Sequence, residues 1–181
     1  MLSSLTLDPV FHLILDLSAH APAPGAPGRL NGLFRALAQA DAEDAGETEE
    51  LIWALWTSHE DREAEEIMAE AIEGMEIGAL DAARILLDEI VENYPDWAEG
   101  WNRRATLAFM ENRDAECLAD IERTLALEPR HFGAISGFGQ VCLRHGHLNE
   151  ARAAFQIALA INPHLTDLRD LLKDLAPPYL H

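Results

Sequence analysis

The chain has 181 residues, of which 49% are hydrophobic, and it carries a formal net charge of −19 at pH 7. This length and composition predict a globular protein with a core large enough for one domain. The charge argues against binding to nucleic acids and to anionic membrane surfaces, because both repel an acidic protein. No run of eighteen apolar residues is present, so we predict no membrane insertion.

Residues 1–28 are predicted to form an N-terminal segment that ends in a linker rich in Pro and Gly. The apolar stretch VFHLILDL is followed by Ala19 and Ala21, a spacing of small residues that secretion signals also use. No Lys or Arg precedes the stretch, however, and Asp16 interrupts it. We therefore predict a cytoplasmic protein; the alternative is a periplasmic one whose signal peptide is degenerate or truncated. We expect this segment either to form a short helix beginning at Asp8 or to be mobile.

Two helices are predicted next, near residues 29–40 and 47–58, and together they would form an N-terminal helical cap over residues 29–63. Trp53 and Trp56 lie near one face of the second helix, at helical spacing. We interpret these helices as a hairpin that caps the helices following it. The alternative is that the two tryptophans form an exposed site for a partner.

Acidic residues are concentrated in the first half of the chain. Between Asp41 and Asp96 there are nineteen acids but only two arginines, whereas the chain after Asp96 is close to neutral. The simplest interpretation is that these acids lie on solvated helix faces. The alternative is that they steer a basic partner toward the protein.

Three prolines recur at a constant interval, because Pro95, Pro129 and Pro163 are 34 residues apart. The interval divides most of the chain into three units, which are residues 64–97, 98–131 and 132–165. Three positions of each unit keep the same residue type: a small residue at the eighth (Ala71, Ala105, Gly139), a small residue at the twentieth (Ala83, Cys117, Ala151), and a large apolar residue at the twenty-fourth (Leu87, Ile121, Phe155). A period of this length predicts helical hairpins that bury their apolar faces by stacking on one another.

These units resemble tetratricopeptide (TPR) repeats, and the stretch GHLNEARAAFQIALAINP of the third unit is very similar to the second helix of that repeat. The resemblance is to small bacterial proteins with three repeats. It implies an all-α protein, an α-α superhelix with three TPR helical hairpins. The N-terminal hairpin would cap the first of these repeats, and a capping helix would follow the last.

The ends of the helices can be placed within each unit. The first helix should stop at Gly78, Asn112 or Gly146, because Gly and Asn tolerate the left-handed backbone that ends a helix. The second helix should begin near Asp81, Asp114 or Asn149, whose side chains are suited to capping free N–H groups. Residues 166–181 are predicted to form the capping helix and a tail, with Leu168, Leu171, Leu172 and Leu175 as its apolar stripe and Pro177 and Pro178 as its end.

The sequence contains no catalytic or cofactor-binding motif, so we predict a protein that is not an enzyme and that needs no cofactor. The spacing of Cys117 and Cys142 matches no metal-binding motif, so we interpret both as buried thiols. His131, His145 and His147 fall at helix ends. We interpret them as structural or solvent-exposed residues, with a metal site as the alternative.

The stretch HFGAISGFGQ contains more glycine than an ordinary helix tolerates without cost. Gly139 is at the small eighth position of its unit. Gly133 and Gly137 have two interpretations: a tight contact with a neighbouring helix, or an opening of the concave groove for a ligand.

The resemblance also implies where a partner would bind, because TPR proteins generally hold peptides or protein segments in the concave surface lined by the first helix of each repeat. The groove positions of this chain hold both apolar and polar side chains. They are Met68, Ile72, Met75, Asn102, Arg103, Thr106, Phe109, Ser136, Gln140, Leu143 and Arg144.

One subtype of the family binds the C-terminal tails of chaperones through a clamp of Lys, Asn and Arg side chains. This chain has Met68, Ile72, Gly133 and Gly137 at four of the clamp positions, so we predict that it is not such an adaptor. The resemblance implies a non-catalytic interaction or scaffold module that binds a protein or peptide. The alternative is a type III secretion class II-like chaperone that holds a client segment. The sequence makes no prediction about the oligomeric state.

Overall fold

The computed structural model describes residues 4–23, 28–41 and 44–175, and this part of the chain is helical without any strand. A short 3-10 helix, Leu17–Ala19, follows the first α-helix. The α-helices are α1 (Ser4–Leu15), α2 (Leu30–Gln39), α3 (Asp44–Thr57), α4 (Arg62–Glu76), α5 (Leu80–Asn93), α6 (Ala98–Met110), α7 (Asp114–Leu127), α8 (Phe132–Arg144), α9 (Leu148–Ile161) and α10 (Thr166–Asp174). Among the helices described, none has both the length and the apolar character that a membrane span requires.

The three predicted units are three antiparallel helical hairpins, α4 with α5, α6 with α7, and α8 with α9. The first helix of each hairpin ends just before a residue with positive φ, as predicted: Gly78 at 78°, Asn112 at 59° and Gly146 at 79°. Each hairpin therefore turns in the same way, which keeps the successive units in one register.

The prediction that side chains cap the second helices is wrong. The residues at the three N-caps are Ala79, Arg113 and His147, and none of them makes a side-chain capping bond. The turn is closed by the backbone instead, because each of these residues donates its N–H to a carbonyl oxygen five residues earlier, at 2.8, 2.8 and 2.9 Å. Such bonds satisfy the end of the first helix and form a tight turn without a capping side chain.

Small residues are found where helices cross closely. A Cβ atom on Gly139 would overlap the ring of Phe155, so helices α8 and α9 can approach this closely only with glycine there. A Cβ atom on Gly100 would lie 2.6 Å from Cγ2 of Ile90, which shows the same close approach between α5 and α6. The repeats are thus held by the packing of large side chains against small ones; Gly139 and Phe155 are at positions that the period marks, whereas Gly100 is at a further position.

Helix α1 begins before the predicted Asp8 and is part of the main hydrophobic core. Leu7, Val10 and Ile14 are at most 2% exposed, and the helix packs against α7, α8 and α9. The ring of Phe11 stacks on that of Phe138 with 6.1 Å between centroids. The apolar stretch near the N-terminus is therefore a core element of the folded chain.

Helix α10 packs on α9 and buries Leu168, as expected for the capping helix. Pro177 and Pro178 lie outside the described residues, as do residues 24–27 of the predicted linker before α2.

Both cysteines are free and buried, and burial raises the pKa of each thiol to about 12. The thiolate is the reactive form, so the native protein should react very slowly with a thiol-specific chromogenic reagent at pH 8. Unfolding in guanidinium chloride should release two fast-reacting thiols per chain. Rapid labelling of either thiol in the native protein would show that the packing around α7 or α8 is not as described.

Candidate functional site: the concave surface and the N-terminal hairpin

Helices α4, α6 and α8, the first helices of the three repeats, pack side by side. Several of the predicted groove residues on these helices are accessible to a partner. Thr106 is exposed, and Ile72, Met75, Phe109, Ser136, Gln140 and Leu143 are partly buried. The surface offers apolar side chains for contact and a few polar groups for hydrogen bonds.

Two predicted groove residues need correction. Met68 is 1% exposed and packs with Leu87 and Ile90 in the core of the first repeat, so it does not face a partner. Asn102 is 6% exposed and donates its side-chain N–H to Oε2 of Glu99 at 3.1 Å. The repeat positions alone do not show that neighbouring helices cover these two side chains.

The two arginines of the predicted groove are already paired with acids. Arg103 donates from Nε to Oε1 of Glu99 at 2.5 Å. Arg144 donates to Oδ1 of Asp114 at 2.5 Å and lies over the ring of Phe109, 3.5 Å from its centroid. The groove therefore presents little unpaired positive charge to a ligand.

A buried polar network lies where α6 and α8 begin. Nδ1 of His131 accepts the backbone N–H of Ala134 at 3.1 Å, which places the ring proton on Nε2. That proton is donated to Oε2 of Glu99 at 2.9 Å, and both side chains are fully buried. Burial pushes the pKa of Glu99 upward, but the hydrogen bond from His131 and the Arg103 guanidinium outweigh it and lower the pKa below its usual value. Glu99 is thus a buried carboxylate that accepts three donors.

The N-terminal hairpin, formed by α2 and α3, covers this network. Trp56 of α3 is 4% exposed and stacks on the ring of His131, with 4.0 Å between centroids and 11° between planes. Trp53 meets Trp56 edge to face at 5.1 Å and also contacts Phe132 at 5.5 Å. The guanidinium of Arg103 lies 5.7 Å from the centre of the Trp53 ring.

Gly133 explains how Trp53 fits. A Cβ atom on Gly133 would lie 2.6 Å from Cη2 of Trp53, closer than real side chains approach. A Cβ atom on Gly137, one turn later, would meet only Cδ1 of Ile121 at 3.6 Å. Of the two interpretations of these glycines, tight contact with a neighbouring helix is correct for Gly133, and that helix is α3.

Hydrogen bonds join the hairpin to the three connections that lead into α6, α8 and α10. We call these three connections the rim. Nε1 of Trp97 donates to the carbonyl oxygen of Trp56 at 2.8 Å. Nδ2 of Asn162 donates to Oε2 of Glu49 at 2.9 Å, and Nε2 of His164 bonds the carbonyl oxygen of Leu37 at 3.2 Å. Nη1 of Arg130, in the connection into α8, donates to Oδ1 of Asn31 at 2.6 Å, so the hairpin is bonded to all three connections.

This placement differs from a cap on the first repeat, because both tryptophan rings contact the start of the third repeat. The pattern of Trp53 and Trp56 shows that one helix face is buried, but it carries no information about the surface that buries it. The placement also has a cost: Nε1 of Trp56 is buried, and no described residue offers it an acceptor. An unsatisfied buried donor costs about 1–3 kcal/mol.

His145 has a structural contact as well. His145 bonds Oδ2 of Asp114 through Nε2 at 2.6 Å. Within the described ranges, no group of three His, Cys, Asp or Glu side chains is arranged to hold a metal ion.

A polar cleft of about 310 Å³ lies between the first and second repeats, away from the concave surface. Arg104 on its wall makes two bonds of 2.8 Å to Asp120 and one of 3.0 Å to Asp88. Arg84 pairs with Glu111 across the same boundary. These charges pair with one another and join the two repeats.

Comparison with known proteins identifies the class of protein that this helical array represents. No family model matches the sequence. A TPR repeat-containing protein of Rhizobium etli is 35% identical over 136 residues, which are 75% of this chain and 67% of that protein. The chain therefore belongs to the tetratricopeptide-repeat family, as the resemblance predicted.

A solved structure shows the same fold. The first TPR domain of Spaghetti, bound to the HSP90 peptide SRMEEVD, matches with a TM-score of 0.58 at 19% identity. The match covers 62% of this chain and 89% of the other. The predicted all-α superhelix of TPR hairpins is confirmed.

Proposed function

We propose that this protein is an interaction module that binds a peptide or protein segment on the concave surface formed by α4, α6 and α8. The observation that carries the proposal is the row of accessible side chains from three adjacent helices, including Ile72, Thr106, Phe109, Gln140 and Leu143. The peptide bound to the TPR domain of Spaghetti supports a ligand of this kind.

The chemistry of the surface favours an extended segment with apolar side chains. Phe109 and Leu143 supply apolar contacts, and the amide of Gln140 can bond to a peptide backbone. Arg103 and Arg144 are paired with buried acids, and the protein carries a net charge of −19. A neutral or basic segment is therefore a better match than an acidic tail.

The test is to select binding peptides from a displayed random library with the full chain as bait, and then to measure their affinities. Phe109→Ala combined with Gln140→Ala should weaken binding at least about tenfold, since loss of an apolar anchor and one hydrogen bond together exceeds about 1.4 kcal/mol. Circular dichroism should show that the fold is kept.

The matched control is Glu122→Ala, an exposed position on α7, which does not line the groove. This variant should bind the selected peptide with unchanged affinity. If the double variant binds as tightly as the wild type, the peptide uses another surface and the proposed groove is wrong.

A further inference from the structure

Trp53 stands in the path of a ligand that runs the full length of the groove. Its ring lies against Gly133, which is the second residue of α8 and a groove position of the third repeat. The ring occupies a recess formed by Arg103, His131, Phe132 and Gly133. The recess is suited to an aromatic ring, because it combines aromatic edges, a cation and a glycine with no side chain.

The hairpin contacts the repeats in two ways. Leu30, Leu37 and Ile52 are fully buried in the same apolar core as the second and third repeats. Hydrogen bonds from Trp97, Arg130, Asn162 and His164 also join the hairpin to the rim. Its Trp53 ring is only partly buried, and Nε1 of Trp56 has no acceptor in the described structure. Release of the hairpin would let water accept a hydrogen bond from that indole N–H, which has no partner while the hairpin is packed on the repeats.

We propose that the N-terminal hairpin is an internal competitor for the groove. In the closed form, in which the hairpin is packed on the repeats, Trp53 fills the recess beside Gly133. In the open form the repeats stay folded, and the recess accepts an aromatic side chain from the partner. The binding role rests on the groove function proposed above, whereas the opening and the recess can be tested without any partner.

The opening can be tested with two glycine variants of the full chain. Gly133→Ala places a methyl group 2.6 Å from the Trp53 ring and should force it out, whereas Gly137→Ala creates only an ordinary contact at 3.6 Å. Both changes replace one glycine of α8, and the methyl group at Gly133 would also lie 3.3 Å from Cε1 of His131, so their difference reports the contacts that Gly133 makes with Trp53 and His131.

Hydrogen exchange measured by mass spectrometry is the readout. In the wild type, the amides of α2 and α3 should exchange at least about tenfold faster than those of α6 to α9. Gly133→Ala should speed exchange in α2 and α3 by a further factor of about ten, and Gly137→Ala should not. If the hairpin exchanges in step with the repeats, or if both glycine variants behave alike, the proposal is overturned.

The recess can be tested with 3-methylindole, which is the side chain of tryptophan as a free molecule. Added to Trp53→Ala, it should refill the recess and raise the melting temperature by about 2 °C or more. The control is Leu51→Ala, at a residue of α3 that is 50% exposed, and its melting temperature should not respond. If Trp53→Ala does not respond either, the recess is not an aromatic site. Hydrogen exchange and the melting temperature are both measured without a selected peptide. The proposed opening of the hairpin can therefore fail while peptide binding in the groove stands, and the reverse.

Discussion

Replacing Ile14 by alanine should lower the free energy of unfolding by about 2–5 kcal/mol, the range seen when a buried large aliphatic side chain is truncated. Ile14 lies in α1, is 1% exposed and belongs to the same core cluster as the second and third repeats. The expected loss follows because the cavity would open inside that core, where surrounding helices cannot collapse freely. Urea denaturation followed by circular dichroism measures it.

Leu15→Ala is the matched control for this prediction. Leu15 is the next residue of α1 and is 52% exposed, so its truncation should change the stability by only about 0.5 kcal/mol. Equal effects of the two variants would mean that α1 is not packed against the repeats in the way described.

The second large effect is expected at Glu99. Glu99→Ala removes a fully buried carboxylate and leaves the donors of His131, Asn102 and Arg103 without their shared acceptor. Breaking one side of a buried charged network costs roughly 3–5 kcal/mol. Denaturation at pH 7 measures the loss, and Glu122→Ala, an exposed glutamate, should leave the stability almost unchanged.

The pH dependence of this loss has a definite sign. Because the pKa of Glu99 is lowered in the folded protein, its ionised form contributes stability above the ordinary glutamate pKa. That contribution is lost as the pH falls through the lowered value. The stability difference between wild type and Glu99→Ala should therefore shrink in acid, and a difference that grows on acidification would contradict the assignment of Glu99 as an ionised acceptor.

The repeat architecture was predictable because its determinants are local. Gly78, Asn112 and Gly146 have the residue types that adopt positive φ, and the structure has positive φ at all three. The prolines and the small residues repeat with the period of the hairpins. Local backbone preference and periodic packing are both visible in a single sequence.

The arrangement of the candidate site was not predictable in the same way. The contact of Trp53 with Gly133 joins residues far apart in the chain, and neither residue type specifies the other. The burial of Met68 depends on the neighbouring helices, and Asn102 belongs to a network that includes His131 from the next connection. The excess of glycine in α8 was a real signal of close approach, although it did not identify the approaching helix.

The most direct test of the binding proposal is to map where a selected peptide contacts the folded protein, by following backbone amide NMR signals during a titration. If the concave surface binds the peptide, the perturbed amides should cluster on α4, α6 and α8, around Ile72, Thr106 and Gln140. Perturbations confined to α5, α7 and α9 would place the ligand on the opposite face and contradict the concave groove as the binding site.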